Sequence, residues 1–281
     1  MTTTFSRVKI PRLIKCPAAL RLGFFTFIES FILFPRKKEG MTIQFSCPTC
    51  LKELDEGLKC ASCKVSYSFK EGMYKFVEEK DTHTWDTYWK RIPVYDTVLD
   101  FLRKIMNLQL RRYLKKFLPV SGVALEPGGG SAYVSALLAE QGFSSYALDY
   151  ASAPLMLAQK QLQSRAVLVQ GDMFHMPFSE GVFDLTFNNS TLEHLSNPLD
   201  ALNEMKRVTR KGGYVFVGVP FTYGPLCVYK LKKSSFKGAW DGTTYDRAGL
   251  KKLFSDAGLE IVGSRTFFFS CFVGVMGRKV D

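Results

Sequence analysis

Downstream of Val120, short apolar runs alternate with stretches whose apolar positions recur at helical spacing. The runs Val123–Leu125, the segment ending at Asp149, Val167–Val169, Phe183–Phe187 and Tyr214–Val219 read as strands. Between them, Ser131–Gln141 closed by Gly142, Pro154–Gln163 and a stretch beginning at Pro198 read as helices. In the last of these Ala201, Leu202, Met205 and Val208 make one buried face, and Lys211-Gly212-Gly213 is expected to end it. Arg247–Ala257, capped by Gly258, reads as a further helix, followed by closing strands Leu259–Phe269 and Cys271–Met276. Strands separated by crossover helices predict an α/β, doubly wound Rossmann-like domain over residues 120–281. Upstream the pattern changes. Leu102, Ile105, Met106, Leu110, Tyr113, Leu114 and Phe117 keep a helical period within a connector over 81–119, whereas residues 65–76 alternate around Gly72 like a hairpin.

Charge divides the chain along the same lines. Of the net +12, residues 1–40 hold eight basic side chains against two acidic ones, while 121–220 hold six against nine. A nucleic-acid enzyme usually carries its basic footprint on the domain that does the chemistry, and here the part holding the glycine turn, 121–220, is acidic, while 221–281 hold ten basic side chains against five acidic ones. The basic residues Arg103, Lys104, Arg111, Arg112, Lys115 and Lys116 sit between the apolar positions of the connector helix. They read as a solvated face or as a contact for RNA phosphate or a membrane. Trp85, Tyr88, Trp89 and Tyr95 read as packing residues or as a lid. Residues 17–34 are apolar but shorter than the roughly 20 needed to span a bilayer, and Arg21 and Glu29 interrupt them. Two readings stand for the leader 1–40: a basic amphipathic helix, over 17–38, lying on an anionic inner membrane surface, or a leader ahead of a start at Met41.

Seven cysteines, four of them in two Cys-x-x-Cys pairs, point to metal ligation in a reducing, cytoplasmic compartment rather than to a disulfide framework. Cys47, Cys50, Cys60 and Cys63 offer four thiolates, the closed tetrahedral shell of a structural Zn2+ site with no position left for water. The run 41–80, with Leu54, Leu58, Tyr67 and Gly72 around the pairs, resembles the small β-rich zinc ribbon that activates some tRNA and protein methyltransferases.

The stretch Glu126-Pro127-Gly128-Gly129-Gly130-Ser131-Ala132 follows the first strand directly, as a glycine turn that opens a helix. A dinucleotide fingerprint needs a third glycine three residues after Gly130, and this chain has Tyr133. A fixed carboxylate at Glu126 repels pyrophosphate and attracts an ammonium group, which S-adenosylmethionine carries together with its sulfonium. At this point the chain resembles the class I S-adenosylmethionine-dependent methyltransferases of the type 11 group, from about Val120 to Lys279. The resemblance implies a seven-stranded mixed sheet with one antiparallel edge strand. It also implies that Glu126, Gly128 and Gly130 line the methionyl part of the cofactor, that Asp149 takes the ribose hydroxyls, and that Asp172 and Met173 meet the adenine. Asn188, on the fourth strand, is expected to line the same site. Ala132 stands where the group often has glycine.

Methyl transfer is an in-line displacement on an activated carbon, so the protein mainly positions the nucleophile and excludes water. His194, after the fourth strand, is the first candidate for a general base, with a structural or gating role as the alternative; Glu193, Tyr133 and Tyr223 follow. The loop Asn188-Asn189-Ser190-Thr191 lacks the Pro-Pro-aromatic pattern of amino-methylating enzymes for adenine, cytosine or glutamine, and lacks a Pro-Cys nucleophile. A small-molecule or lipid-like acceptor follows, with an rRNA or tRNA base and a catalytically silent cofactor-binding scaffold as alternatives. Residues 221–245, with Lys230, Lys232, Lys233 and Lys237, are expected to cover the acceptor.

Overall fold

The computed structural model describes residues 43–78, 97–118, 121–162, 165–225, 227 and 242–281. The expectations for the leader 1–40, for Trp85, Tyr88, Trp89 and Tyr95, and for the lysines of the cover lie outside the described residues.

Nine strands form one sheet: β1 (Ser68–Lys70), β2 (Met73–Lys75), β3 (Val123–Pro127), β4 (Ser144–Asp149), β5 (Val167–Gln170), β6 (Phe183–Asn189), β7 (Thr209–Pro220), β8 (Glu260–Phe267) and β9 (Phe272–Arg278). Their order across the sheet is β1-β2-β5-β4-β3-β6-β7-β9-β8. From β5 to β8 this is the expected seven-stranded α/β sheet, whose central strands are buried because helices cover both faces. The antiparallel strand β9 lies between β7 and β8 rather than at the edge, a correction to the sequence reading. It is almost wholly buried, while β8 alternates exposed and half-buried residues, as an outer strand does.

The ribbon does not stand apart from this sheet. Its hairpin turns at Glu71 and Gly72, both with positive φ, as a two-residue loop requires. Strand β2 then pairs in parallel with β5, Tyr74 opposite Val169 and Lys75 opposite Gln170, and extends the seven strands to nine. Phe45 packs on Tyr74, Phe76 and Phe178 at ring separations of 4.5, 5.1 and 5.6 Å. Ser46 donates its N–H to the Pro177 carbonyl (3.0 Å), and the Tyr146 hydroxyl takes the N–H of Ile43 (3.0 Å). Ribbon and sheet therefore share one hydrophobic core.

Five α-helices are described: α1 (Thr97–Leu114), α2 (Tyr133–Ala139), α3 (Ser152–Leu162), α4 (Pro198–Val208) and α5 (Arg247–Asp256). On α1 the buried side is Leu110, Tyr113 and Leu114, against Phe216 and Met276, while Lys104 and Arg112 on the helix, and Lys115 and Lys116 just after it, are exposed. Helix α4 starts on Pro198 and buries the four residues that its period predicts. It ends at Val208, before the expected Lys211-Gly212-Gly213. Those residues belong to the leading part of β7, where the pairing with β6 jumps from Phe183–Thr209 to Leu185–Tyr214. The Asp246 side chain caps α5 by accepting the N–H of Gly249 at 2.6 Å. Among the described residues, no helix is long and apolar enough to cross a membrane.

Candidate cofactor and acceptor site

The carboxyl ends of β3, β4, β5 and β6 point to one side of the sheet, where a crevice forms as the chain order reverses between β3 and β6. The glycine turn leaves β3 with Gly128 and Gly130 at φ 67° and 51°. Ala132 also adopts the left-handed region, at φ 51°, which costs an alanine about 1 kcal/mol relative to glycine. A β-carbon at Gly128 would stand 2.4 Å from the Thr191 methyl, and the Thr191 hydroxyl donates to the Gly128 carbonyl at 2.9 Å. The loop after β6 is thus pressed onto the loop after β3. Gly128→Ala is expected to push Thr191 away, to strain the turn and to weaken ligand binding at least about tenfold with the fold retained, read by calorimetry beside circular dichroism.

Glu126 is 6% exposed, and its Oε2 accepts both the N–H and the hydroxyl of Ser135, at 3.0 and 2.6 Å. Ser135 sits on α2, so the carboxylate ties the strand to its following helix and leaves Oε1 without a partner among the described residues. Burial pushes this carboxyl up, the Ser135 bonds pull it back, and the charge of Asp149 raises it again, to about 7. Asp149, the last residue of β4, accepts the N–H of Gly130 (2.9 Å) on one oxygen and that of Ala151 (3.0 Å) on the other. Burial outweighs these bonds and brings it to about 6. Two neighbouring carboxyl groups are raised, and neither makes an ion pair among the described residues. Such a site suits a cationic ligand and opposes a pyrophosphate.

Beyond β5, the Gly171 N–H meets the Asp149 carbonyl at 3.0 Å, which sets the next turn beside the first. There the Asp172 carboxylate accepts the Phe174 N–H (2.9 Å) and faces Nδ1 of His175 (3.1 Å), with Met173 buried next to it. Asn188 has a role beyond the expected one. It is fully buried, its amide donates to the Pro127 carbonyl (2.6 Å), and its Oδ1 accepts the Leu192 N–H (3.2 Å). One bond at each end of the side chain joins the two loops, so Asn188 positions the turn, with the second N–H and the second lone pair of its amide left over.

The 3-10 turn Leu192–His194 carries the acceptor-side candidates. His194 is half-buried, with Nε2 3.9 Å from Oε1 of Glu193. The Glu193 side chain is wholly buried, and both of its oxygens lack a hydrogen-bond partner. Burial raises it to about 8. The Glu193 carbonyl takes the N–H of Thr243 at 2.8 Å, so the end of the expected cover is laced to this turn. Tyr223 is largely exposed beyond β7.

Ser135 and Thr191 have no precedent in the sequence reading. A serine nine residues after Glu126 on an apolar helix face is the one signal that could have pointed to the first, and nothing in the pattern marks the second.

At the far edge, the four knuckle cysteines bring their sulfurs within 4.8 Å of one another. A tetrahedral shell with sulfur about 2.3 Å from its metal has this spacing. Leu51 and Lys64, each the residue just after a Cys-x-x-Cys pair, take positive φ, so the two knuckles repeat one turn. Burial raises the Cys47 thiol, but hydrogen bonds from Tyr67 and from the backbone at Cys50 and Thr49 outweigh it and bring it to about 6.

Residues 125–217 match the protein family described as Methyltransferase domain. The chain is 26% identical over 196 residues to the biotin biosynthesis bifunctional protein BioHC of Cellvibrio japonicus, covering 66% of this chain and 37% of that protein. Over 130 residues it is 28% identical to the malonyl-[acyl-carrier protein] O-methyltransferase of Buchnera aphidicola, covering 46% and 51%. The matches span 37% and about half of the length of these two relatives. In fold it resembles the magnesium protoporphyrin IX methyltransferase of Synechocystis with bound SAH, at a TM-score of 0.56 and 16% identity, over 70% of this chain and 93% of that one.

Proposed function

We propose that this chain, which carries an S-adenosylmethionine-dependent methyltransferase domain, transfers a methyl group to a small or lipid-like molecule. The observation that carries the donor assignment is the pair of raised, unpaired carboxyl groups at the glycine turn, Glu126 and Asp149. The donor supplies a methyl carbon activated by positive sulfur. Glu126 receives its ammonium group while the turn at Gly128 and Gly130 admits its backbone-like atoms closely. Asp149 takes the ribose hydroxyls, Asp172 takes the adenine amino group, and Met173 lies against the ring. Asn188 and Thr191 hold the two loops in register and exclude water from between them. His194 borders the acceptor side. The knuckle thiols hold a structural zinc, which fastens the ribbon to the sheet edge and takes no part in the transfer.

The acceptor class rests on the acidic balance of residues 121–220, which carry the donor site, and on relatives named for small or carrier-bound substrates. The exposed basic residues Lys104 and Arg112 of α1, with Lys115 and Lys116 just after it, support a second reading, an RNA base as acceptor. Incubation with tritiated S-adenosylmethionine and either the small-molecule and lipid fraction of a cell extract or its total RNA separates them. Label in the first fraction is expected. Label confined to RNA, with binding that falls steeply as salt rises, would replace the small-molecule reading by the second.

A further inference from the structure

Among the described residues, Glu193 is a buried acidic side chain whose carboxyl oxygens have no hydrogen-bond partner. The nearer oxygen lies 3.9 Å from Nε2 of His194, beyond hydrogen-bond range. Near it is Tyr245, the last residue of the expected cover, whose phenol is raised by burial and by the charge of Glu193. No Lys or Arg pairs with Glu193 among the described residues. A buried carboxyl left unpaired is costly, and completion by a ligand is one physical reason for a fold to keep it. The surroundings say which ligand that is. The turn holding Glu193 is docked through Thr191 onto the Gly128 loop and is laced through its own Glu193 carbonyl to Thr243, so it joins the glycine turn to the described end of the cover.

We propose that Glu193 receives the proton of a protic acceptor, an amine or a hydroxyl, as that acceptor is methylated. This rests on the methyltransferase reading and narrows it, because a carboxylate, a thioether or an unprotonated ring nitrogen has no proton to give. As the acceptor's nitrogen or oxygen forms its bond to the methyl carbon, its N–H or O–H proton passes to the Glu193 carboxylate. The carbon–sulfur bond of the donor breaks with its electron pair remaining on sulfur, and the proton then leaves through His194 to water. Anionic acceptors are disfavoured on the same ground, since Glu126, Asp149 and Glu193 already crowd this side with acidic groups. Because burial holds the Glu193 proton until about pH 8, the reactive carboxylate form grows with pH up to that point.

The test uses the full-length protein, S-adenosylmethionine labelled with carbon-13 at the methyl group, and the small-molecule fraction of a cell extract, with the labelled product identified by NMR. Label is expected on a nitrogen or oxygen that bore hydrogen beforehand; an amine product and an ether product are separate arms of one result. With that product's parent as substrate, kcat/KM should rise with pH and level near 8. Glu193→Gln should lower it by about 10²-fold and flatten the profile, while the affinity for S-adenosylmethionine is unchanged. The folded carboxyl keeps its proton up to about 8, against 4.5 for the unfolded one, so the wild type loses stability as pH rises between those values. The amide lacks this loss and should melt no lower than wild type at pH 8; if it does fail to fold, the pH profile of Glu193→Asp decides in its place. Label on a carboxylate oxygen or a sulfur, or a variant that keeps the wild-type rate and pH profile, overturns the assignment alone. Absence of label in every fraction despite donor binding overturns the transfer reading and this assignment with it.

Discussion

Asp149→Ala is expected to lower the affinity for S-adenosylmethionine by about 10²- to 10⁴-fold in a calorimetric titration, with the secondary structure unchanged. The size follows from what the carboxylate does. It holds the N–H of Gly130 and of Ala151, and in the proposed complex it also receives the ribose hydroxyls. Two hydrogen bonds to a charged group are worth about 1.5–3 kcal/mol each, and every 1.4 kcal/mol is tenfold in affinity. A pH dependence accompanies this. Asp149 and Glu126 are raised to about 6 and about 7, so the ligand-free protein is favoured by their protonation, and its stability falls as pH rises from the ordinary carboxylate range through about 7. A cationic donor favours the ionised forms. Its affinity should therefore increase between about pH 6 and 7 and level above, and a donor affinity that fell over this interval would count against the placement of its cationic groups beside these two residues.

Removing the metal should have the second large effect. Cys60→Ser, or chelation under reducing conditions, is expected to abolish zinc content by elemental analysis and to lower the melting temperature by roughly 10 °C or more. An isolated ribbon would lose only itself, but this one shares its core with the sheet. Without the knuckles, Phe45 loses its anchor against Phe178, and β2 loses its hold on β5. The bonds from the ribbon to the Gln170 and Pro177 carbonyls flank the turn that carries Asp172 and Met173, so donor affinity should fall as well. A metal-free protein that melts at the wild-type temperature would show that the thiols, though gathered, do not depend on an ion.

How much of this was legible beforehand depends on the range of the interaction. The strands from β3 to β9 follow from local apolar runs, and the helices from their period, because burial on both faces or on one stripe writes itself into adjacent residues. Pairing partners leave no such mark. The docking of β2 onto β5 depends on Phe45 meeting Phe178, 133 residues away in sequence, and a ribbon read alone looks like a separate module. The same holds in the site. Gly128, Gly130 and Asp149 carry their roles in residue type and spacing, since a turn needs φ above zero and a strand end needs a carboxylate. Asn188 has the right type and place for a ligand contact, and its amide also bonds Pro127 and Leu192, a loop-joining role set by how closely two loops approach. Glu193 ranked behind His194 in the sequence because an imidazole titrates near neutrality by itself, whereas a glutamate does so only through burial that sequence does not record.

The central claim is that the glycine turn with its two raised carboxyls is built for a sulfonium donor and not for a dinucleotide. Isothermal calorimetry of the zinc-loaded, full-length protein with S-adenosylmethionine and, in parallel, with NAD tests it most directly. Saturable binding of the first at one site per chain, with no heat from the second, is the predicted result; binding of NAD, or of neither ligand, would contradict it.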